Sequence, residues 1–264
     1  MKEIKRLVKV WLLMSRMAMQ TQITSFLAAL FFILGKVVRF VMFYFLIFTV
    51  LKQTNNLAGY NTTQVIFFFL IFNLSDIVAQ FLFRGVYVFR PLVLKGDFDL
   101  HLLQPKPSFF QPIFGRTDIL DFVVLVPLAF YSVFYTASNG IAGSFASWIL
   151  FFALFINGIL ISFSFHLFVC SIGILTLAVD FIMEIYRDFF NLARFPTDIY
   201  SNFTRIILTF VFPVVLMVTV PAKALMGLLS WYWLALSFLI TVIFVFGSFK
   251  FWKYSLTKYS SASN

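Results

Sequence analysis

Along this chain apolar residues do not alternate with charge but run in long blocks closed by short polar turns, at Val65–Phe83, Ile119–Ser138, Trp148–Val179 and Leu229–Phe249. A helix needs roughly 20 mainly apolar residues to cross the hydrocarbon of a bilayer, and each block comes close to that length or exceeds it. Lipid offers no partner to backbone N–H and C=O groups, so blocks of this length are helical, and the two-residue alternation of a membrane barrel is absent. The pattern predicts an all-α integral membrane protein. No Pro/Gly/Ser-rich linker or low-complexity tract divides residues 1–264, which read as a single polytopic domain.

Met1–Gln22 threads Lys2, Lys5, Arg6, Lys9 and Arg16 through Ile4, Leu7, Val8, Val10, Trp11, Leu12 and Leu13, which predicts an amphipathic helix lying in the membrane interface over residues 1–25. Polar residues from Ser15 to Thr24 interrupt the apolar run that a cleaved signal peptide needs, so the segment is expected to stay in the mature protein. Basic residues before the first span, from Arg84 to Arg116, and at Lys250, Lys253 and Lys258 mark cytoplasmic sides, whereas the turns Asn55–Thr63 and Ser138–Ser147 have none. With both termini inside, the number of crossings is even, and six fits the apolar length. Trp148–Pro221 admits two readings. It holds one long span and a cytoplasmic loop bearing Arg187, Arg194 and Arg205, or two short spans turning near His166–Gly173 and then a re-entrant hairpin on the outside. Charge bias favours the first.

Composition sharpens this picture. The chain is 62% hydrophobic with 40 phenylalanines, far too many for stacking sites and natural for lipid-facing packing. Its formal charge of +10 would suggest nucleic acid in a soluble protein. Here the excess sits beside the spans, where anionic lipid explains it, so membrane lipids are expected partners and nucleic acid is not. Cys170 is alone and forms no internal disulfide. His166 and Cys170 are four apart, but two ligands are too few for a metal and His101 is remote in sequence, so no metal site is expected. No Gly-x-Ser-x-Gly elbow occurs.

Ionisable groups inside hydrocarbon are costly and face the bundle interior or water, which singles out Lys36, Arg39 and Asp76. If the first two spans form a hairpin about Lys52–Thr63, its midpoint lies between Leu57 and Ala58, and Arg39 and Asp76 fall at equal depth. An Arg39–Asp76 ion pair fixing that hairpin is therefore expected. In the alternative, the first span begins later and Lys36 and Arg39 snorkel to the surface. Asp180, Glu184 and Asp188 recur every four residues and share a helical face, with Arg187 adjacent. They read as a solvated helix end paired with Arg187 or, alternatively, as a vestibule.

Arg90–Phe114 is the only interior cytoplasmic loop long enough to act on another protein in both topologies, with Pro91, Pro105, Pro107 and Pro112 bracketing Val93–Gln104 and Asp97 and Asp99 suiting a helix amino terminus. Within it, Gly96, Asp99, Leu102 and Pro105 match the Gly-x-x-Asp-x-x-Leu-x-x-Pro signature of the type-2 ABC exporter permeases. Phe195-Pro196-Thr197-Asp198-Ile199-Tyr200, Thr209 to Pro213, and Val220-Pro221-Ala222 with Leu225 to Gly227 resemble a second, independent run of that family. Order and spacing of both blocks agree, and the apolar layout extends the similarity over nearly the whole chain.

The resemblance implies a six-helix permease subunit with an amphipathic connecting helix, a cytoplasmic coupling helix within residues 90–114, and a re-entrant hairpin over residues 190–227 before the last span. It favours the two-short-span reading of Trp148–Phe190 and places Arg194 and Arg205 near the outer leaflet. Coupling residues implied are Lys95, Gly96, Asp97, Asp99, Leu100, Leu102, Leu103 and Pro105, and re-entrant positions are Pro196, Tyr200, Pro213 and Pro221.

No Gly-x-x-x-x-Gly-Lys-Ser/Thr loop exists, and the lone Gly35-Lys36 lies in an apolar span, so the chain is expected to hold no cofactor of its own and not to be an enzyme. ATP and magnesium belong on two copies of a partner ABC ATPase. A second copy of the permease, or a related one, completes a path for export across the inner (plasma) membrane, with both termini cytoplasmic. The alternatives are an integral membrane enzyme acting on lipid headgroups through Asp180, Glu184, Arg187 and Asp188, and an ion-coupled transporter using Asp76.

Overall fold

The computed structural model describes residues 2–23, 26–54 and 56–260; Met1, Thr24 and Ser25 of the expected interfacial segment lie outside them. Helix α1 (Lys2–Ile23) is followed by α2 (Phe26–Thr54), and a two-residue hairpin, β1 (Asn56–Leu57) and β2 (Tyr60–Asn61), turns the chain into α3 (Thr62–Phe83). The turn works because Ala58 and Gly59 both take positive φ, 52° and 84°, the geometry that a two-residue hairpin demands. Asn61 then starts α3 with a capping box: it accepts from the Gln64 backbone at 2.9 Å, and Gln64 Oε1 accepts from the Asn61 backbone at 3.1 Å. α3 is the axis of the molecule, buried along most of its length against α2, α7 (Ile119–Ser138) and α8 (Phe145–Thr176).

Between α3 and α7 the chain makes a compact end layer from three short helices, α4 (Phe89–Leu94), α5 (Asp97–Leu102) and α6 (Phe110–Phe114). Ser15 of α1 bonds Thr117 at 2.8 Å, and Arg6 donates to the Pro105 carbonyl at 2.5 Å, so α1 lies along this layer. The last helix, α12 (Trp231–Lys258), returns to it, with Trp252 Nε1 donating to Ser108 Oγ at 2.9 Å.

The expected turn near His166–Gly173 is absent. α8 runs unbroken for 32 residues, about 48 Å. Its polar side chains bond back one turn instead of breaking it, as in His166 Nδ1 to Ser162 O at 2.7 Å and Ser171 to Leu167 O at 2.8 Å. The chain reverses later, at Leu177, which takes the left-handed conformation (φ 60°) and returns its N–H to Gly173 O. A side chain at Gly173 would collide with Val179, so the glycine lets α9 (Val179–Asn191) fold back closely.

α9 and the 3₁₀ turns after it cross the molecule. Asp180 meets Arg90 of the end layer at 3.0 Å, whereas Asp198 accepts from Tyr60 at the opposite end at 2.8 Å; the 18 steps between them reach about 27 Å at helical rise. The chain then dips inward through α10 (Asn202–Phe210), turns at Pro213, and rises through a π-helical turn, Val215–Thr219, into α11 (Val220–Leu225). The two arms are bent by 81°. Arg205 and Lys223, one on each arm, both reach Asp198, at 3.5 and 2.8 Å, so the dip begins and finishes at the Tyr60 end. At its tip Phe212 stacks on Phe189, centroids 4.1 Å apart.

Five helices among the described residues, α2, α3, α7, α8 and α12, are long and apolar enough to span a membrane, which makes the chain an all-α multi-pass membrane protein. The chain from α9 to Asp198 also passes from the Trp252 end to the Tyr60 end, although α9 itself has only 13 residues, and α1 and the end of α12 share the Trp252 end. A membrane-impermeant maleimide tests this. In a Cys170→Ala background, single cysteines at Asn56, Asn202 and Leu228 label from one side, and those at Leu103 and Lys253 from the other. If the bent pair were a span, Asn202 and Leu228 would label from opposite sides.

Candidate functional site

In the end layer, Gly96 at φ 77° turns α4 into α5, a conformation that favours glycine. Asp97 and Asp99 sit in the first turn of α5, where carboxylates favour the positive helix end, and Leu103 N–H closes its last turn on Asp99 O. Phe98 points into the protein, wholly buried, with edge contacts to Phe89 at 5.2 Å, Trp252 at 6.2 Å and Tyr259 at 5.4 Å. The opposite face of the segment shows Leu100 at 63% and Leu103 at 83% exposure, with Lys95, Leu102 and Pro105 also exposed. The layer is thus an apolar knob on a rigid aromatic base. Burial and then Lys106 hold His101 below its ordinary value.

Three carboxylates near or inside the bundle organise the intramembrane charge. Arg39 lies 3.8 Å from Asp76, and the hairpin's centre falls one residue beyond the midpoint inferred from sequence. Asp76 also accepts from Gln80 at 2.9 Å, Gln80 accepts from Arg84 at 3.2 Å, and Arg84 reaches Asp118, the cap of α7, at 3.4 Å. Lys36 pairs with Asp121, which is fully buried. The chain Arg39–Asp76–Gln80–Arg84–Asp118 therefore runs from mid-bundle to the end layer. Asp118 and Asp121 escape sequence reading because their partners are remote in the chain, although two carboxylates opening an apolar block are the visible signal.

Asp180, Glu184 and Asp188 are exposed, and Asp180 pairs with Arg90 instead of Arg187, which turns away toward Tyr87 and the Asp76 site. His166 and Cys170 are buried in α8, and no group of three His, Cys, Asp or Glu able to hold a metal occurs among the described residues.

At the Tyr60 end, Asp198 gathers Tyr60, Arg205 and Lys223. Burial opposes its ionisation, but the Lys223 hydrogen bond and charge, with Tyr60 and Arg205, outweigh it and hold the carboxyl below its ordinary 3.8. Pro196 precedes the 3₁₀ turn that presents Asp198, and Tyr200 ties back to Leu192 O at 2.7 Å. Pro213 opens the rising arm, accepting from Leu216 and Met217, while Pro221 is buried at the start of α11.

Among known families, the one described as "ABC-2 family transporter protein" matches residues 37–263. No curated protein and no solved structure matches the chain.

Two stability outcomes follow from the charge geometry. Asp121→Ala leaves the Lys36 ammonium without its partner and costs about 3–5 kcal/mol in detergent melts, while Lys36→Met with Asp121→Leu recovers most of it. Asp198→Asn costs about 2 kcal/mol at neutral pH. Because the folded carboxyl is depressed, its contribution is present above the ordinary value and lost only as pH falls through the lower folded value. The gap between wild type and Asp198→Asn therefore stays constant from about pH 8 to 5 and closes in stronger acid.

Proposed function

Because the chain belongs to the ABC-2 family of transporter proteins, and is thereby the permease of an ABC transporter, we propose that it exports its substrate using ATP hydrolysed on a separate ATPase subunit. The Trp252 end is cytoplasmic: Lys5, Arg6, Lys9, Arg16, Arg84, Arg90, Lys95, Lys106, Arg116, Lys250, Lys253 and Lys258 all belong to elements that meet there. Both termini then lie inside, and the Asp198 hub faces out across the inner (plasma) membrane. Two permeases, identical or related, enclose the path, and two ATPases carrying ATP and magnesium sit beneath them.

The observation that carries this reading is the knob of α5 on its aromatic base. A partner cleft that grips Leu100 and Leu103 pushes, through Phe98, on Trp252 of α12 and on Phe89 next to α3, so closure of the ATPase moves helices as bodies. ATP binding opens the outward state only to the extent that it binds that state more tightly. Lys95, Gly96, Asp97, Asp99, Leu102 and Pro105 shape and flank the knob.

Copurification from native membranes tests it. Leu100→Asp with Leu103→Asp, both at exposed positions, folds normally and loses the ATPase that accompanies wild type. Phe98→Ala keeps the ATPase but loses substrate-stimulated hydrolysis, because the grip survives and its transmission does not. Absence of any ATPase from wild-type complexes would overturn the reading.

A further inference from the structure

Where α2, α3 and α9 meet, the polar network leaves Arg187 and Arg194 without a carboxylate of their own among the described residues. Lys36 is matched by Asp121, Arg84 by Asp118 and Arg39 by Asp76, but neither Arg187 nor Arg194 has a carboxylate within 4.0 Å among the described residues. Their partners are instead aromatic or neutral. Arg194 lies over the rings of Phe43 at 4.3 Å and Phe72 at 5.5 Å and donates to Asn191, while Arg187 faces Tyr87 in a small polar site that Arg39, Asp76 and Gln80 also line.

The placement of these residues is regular. Arg187 and Arg194 are seven residues apart, two helical turns or about 10 Å. Phe43 and Phe72 each lie one turn from the Arg39–Asp76 pair toward the Tyr60 end, and Gln80 lies one turn from it toward the Trp252 end. Arg194, Arg39 and Arg187 thus form three successive rungs between α2, α3 and α9. Arg39 stands about 20 Å from one end of α2 and about 22 Å from the other, beyond easy reach of headgroups at either surface. Three guanidiniums with one carboxylate, Arg39 at the middle of α2, constitute a site that is electrically incomplete, and such groups mark a path for a compensating charge.

The walls define what brings that charge. Phe40, Phe43 and Phe69 stack along the groove, with centroids 5.2 and 6.4 Å apart. Arg39 also borders a cleft of about 400 Å³ between α2, α3 and α7, otherwise walled mainly by apolar side chains such as Val37, Ile77, Val124 and Leu128. An acidic group fits the arginines, and an attached apolar body fits the cleft and rings.

We propose that Arg187, Arg39 and Arg194 are an intramembrane ladder that binds the acidic headgroup of an amphipathic molecule. The transporter reading enters only in calling this ligand cargo. Planar guanidiniums suit the task because each presents a fork of donors to a carboxylate or phosphate and can stack on a ring when vacant, as Arg194 does. Successive rungs hand the headgroup along without leaving it bare in hydrocarbon.

The test uses the full chain in phosphatidylcholine nanodiscs, with dansyl-labelled undecanoic acid and its uncharged amide as probes. The acid binds at least about tenfold more tightly than the amide. Arg187→Gln with Arg194→Gln removes that difference and leaves amide binding unchanged, while Arg187→Lys with Arg194→Lys keeps much of it. If the double glutamine variant does not stay monodisperse, Arg194→Gln alone is expected to weaken the acid about tenfold. Displacement of the probe by phosphatidylglycerol in the disc identifies a lipid headgroup as an occupant, and no displacement identifies a non-lipid amphiphile; both keep the ladder. Equal binding of acid and amide to wild type, or undiminished acid binding to either glutamine variant, overturns it. No ATPase is present, so the ladder can fail while copurification succeeds, or the reverse.

Discussion

Lipid provides no hydrogen-bond partner, so the broken backbone between α10 and α11 can exist at membrane depth only if protein surrounds it. Much of the architecture serves that enclosure. Residues Val214–Val220 are all nearly inaccessible, held between α3 and α8. Ser75 donates to Met217 O at 3.4 Å, and Gly158 brings the α8 backbone against Met217, where an added methyl carbon would sit 3.0 Å from its Cα. The π-helical turn is a wider coil, tolerated here because its neighbours leave no room for lipid or disorder. α3 is consequently buried on nearly all sides, an unusual state for a membrane helix, and must be apolar nearly all round.

Enclosing the dip also fixes its rim. Asp198 pairs with one cation from each arm and takes a hydroxyl from the first hairpin, so three segments distant in sequence share one carboxylate. At the other end the ion pairs Arg90–Asp180 and Arg84–Asp118 stand apart instead of sharing one carboxylate, and aromatic edges pack the layer: Phe89, Phe98, Trp252 and Tyr259. The difference is physical. A carboxylate hub fixes charges in a geometry that resists sliding, whereas edge-to-face rings are short-ranged and transmit compression as a packed solid. The rim is pinned by charge, and the aromatic layer is packed as a unit.

Sequence revealed what depends on composition and local geometry. Apolar block length announced the spans; the proline-bracketed Val93–Gln104 with Asp97 and Asp99 near its start announced α5; and the short hairpin made Arg39 and Asp76 neighbours by simple counting. It did not reveal the reversal at Leu177, because a leucine in the left-handed region leaves no signal of the kind glycine would, and the serines and histidine of α8 bond within the helix instead of ending it. Lys36–Asp121, Arg84–Asp118 and the Asp198 hub were likewise hidden, since each joins residues whose proximity only the assembled bundle decides. Arg187 was misplaced for a related reason. Its sequence neighbours are acidic, but Arg187, itself exposed, faces Tyr87 in the small site that Asp76 also lines.

The aromatic layer and the arginine groove are joined through α3 and α9. Arg90 at the base of the layer holds Asp180 at the start of α9, and Arg187 follows two turns later on the same helix. Through Arg84 and Gln80, Asp118 at the start of α7 is linked to Asp76 in the groove. A displacement of the end layer therefore bears on two of the helices that line the groove, while the Asp198 rim restrains their far ends. Helices pushed at one end and held at the other would pivot, changing the spacing between α9 and α2 in proportion to distance from the held rim, about half as much at the depth of Arg39 as at the end layer. The arginine groove lies partway along that lever, between the pushed layer and the held rim.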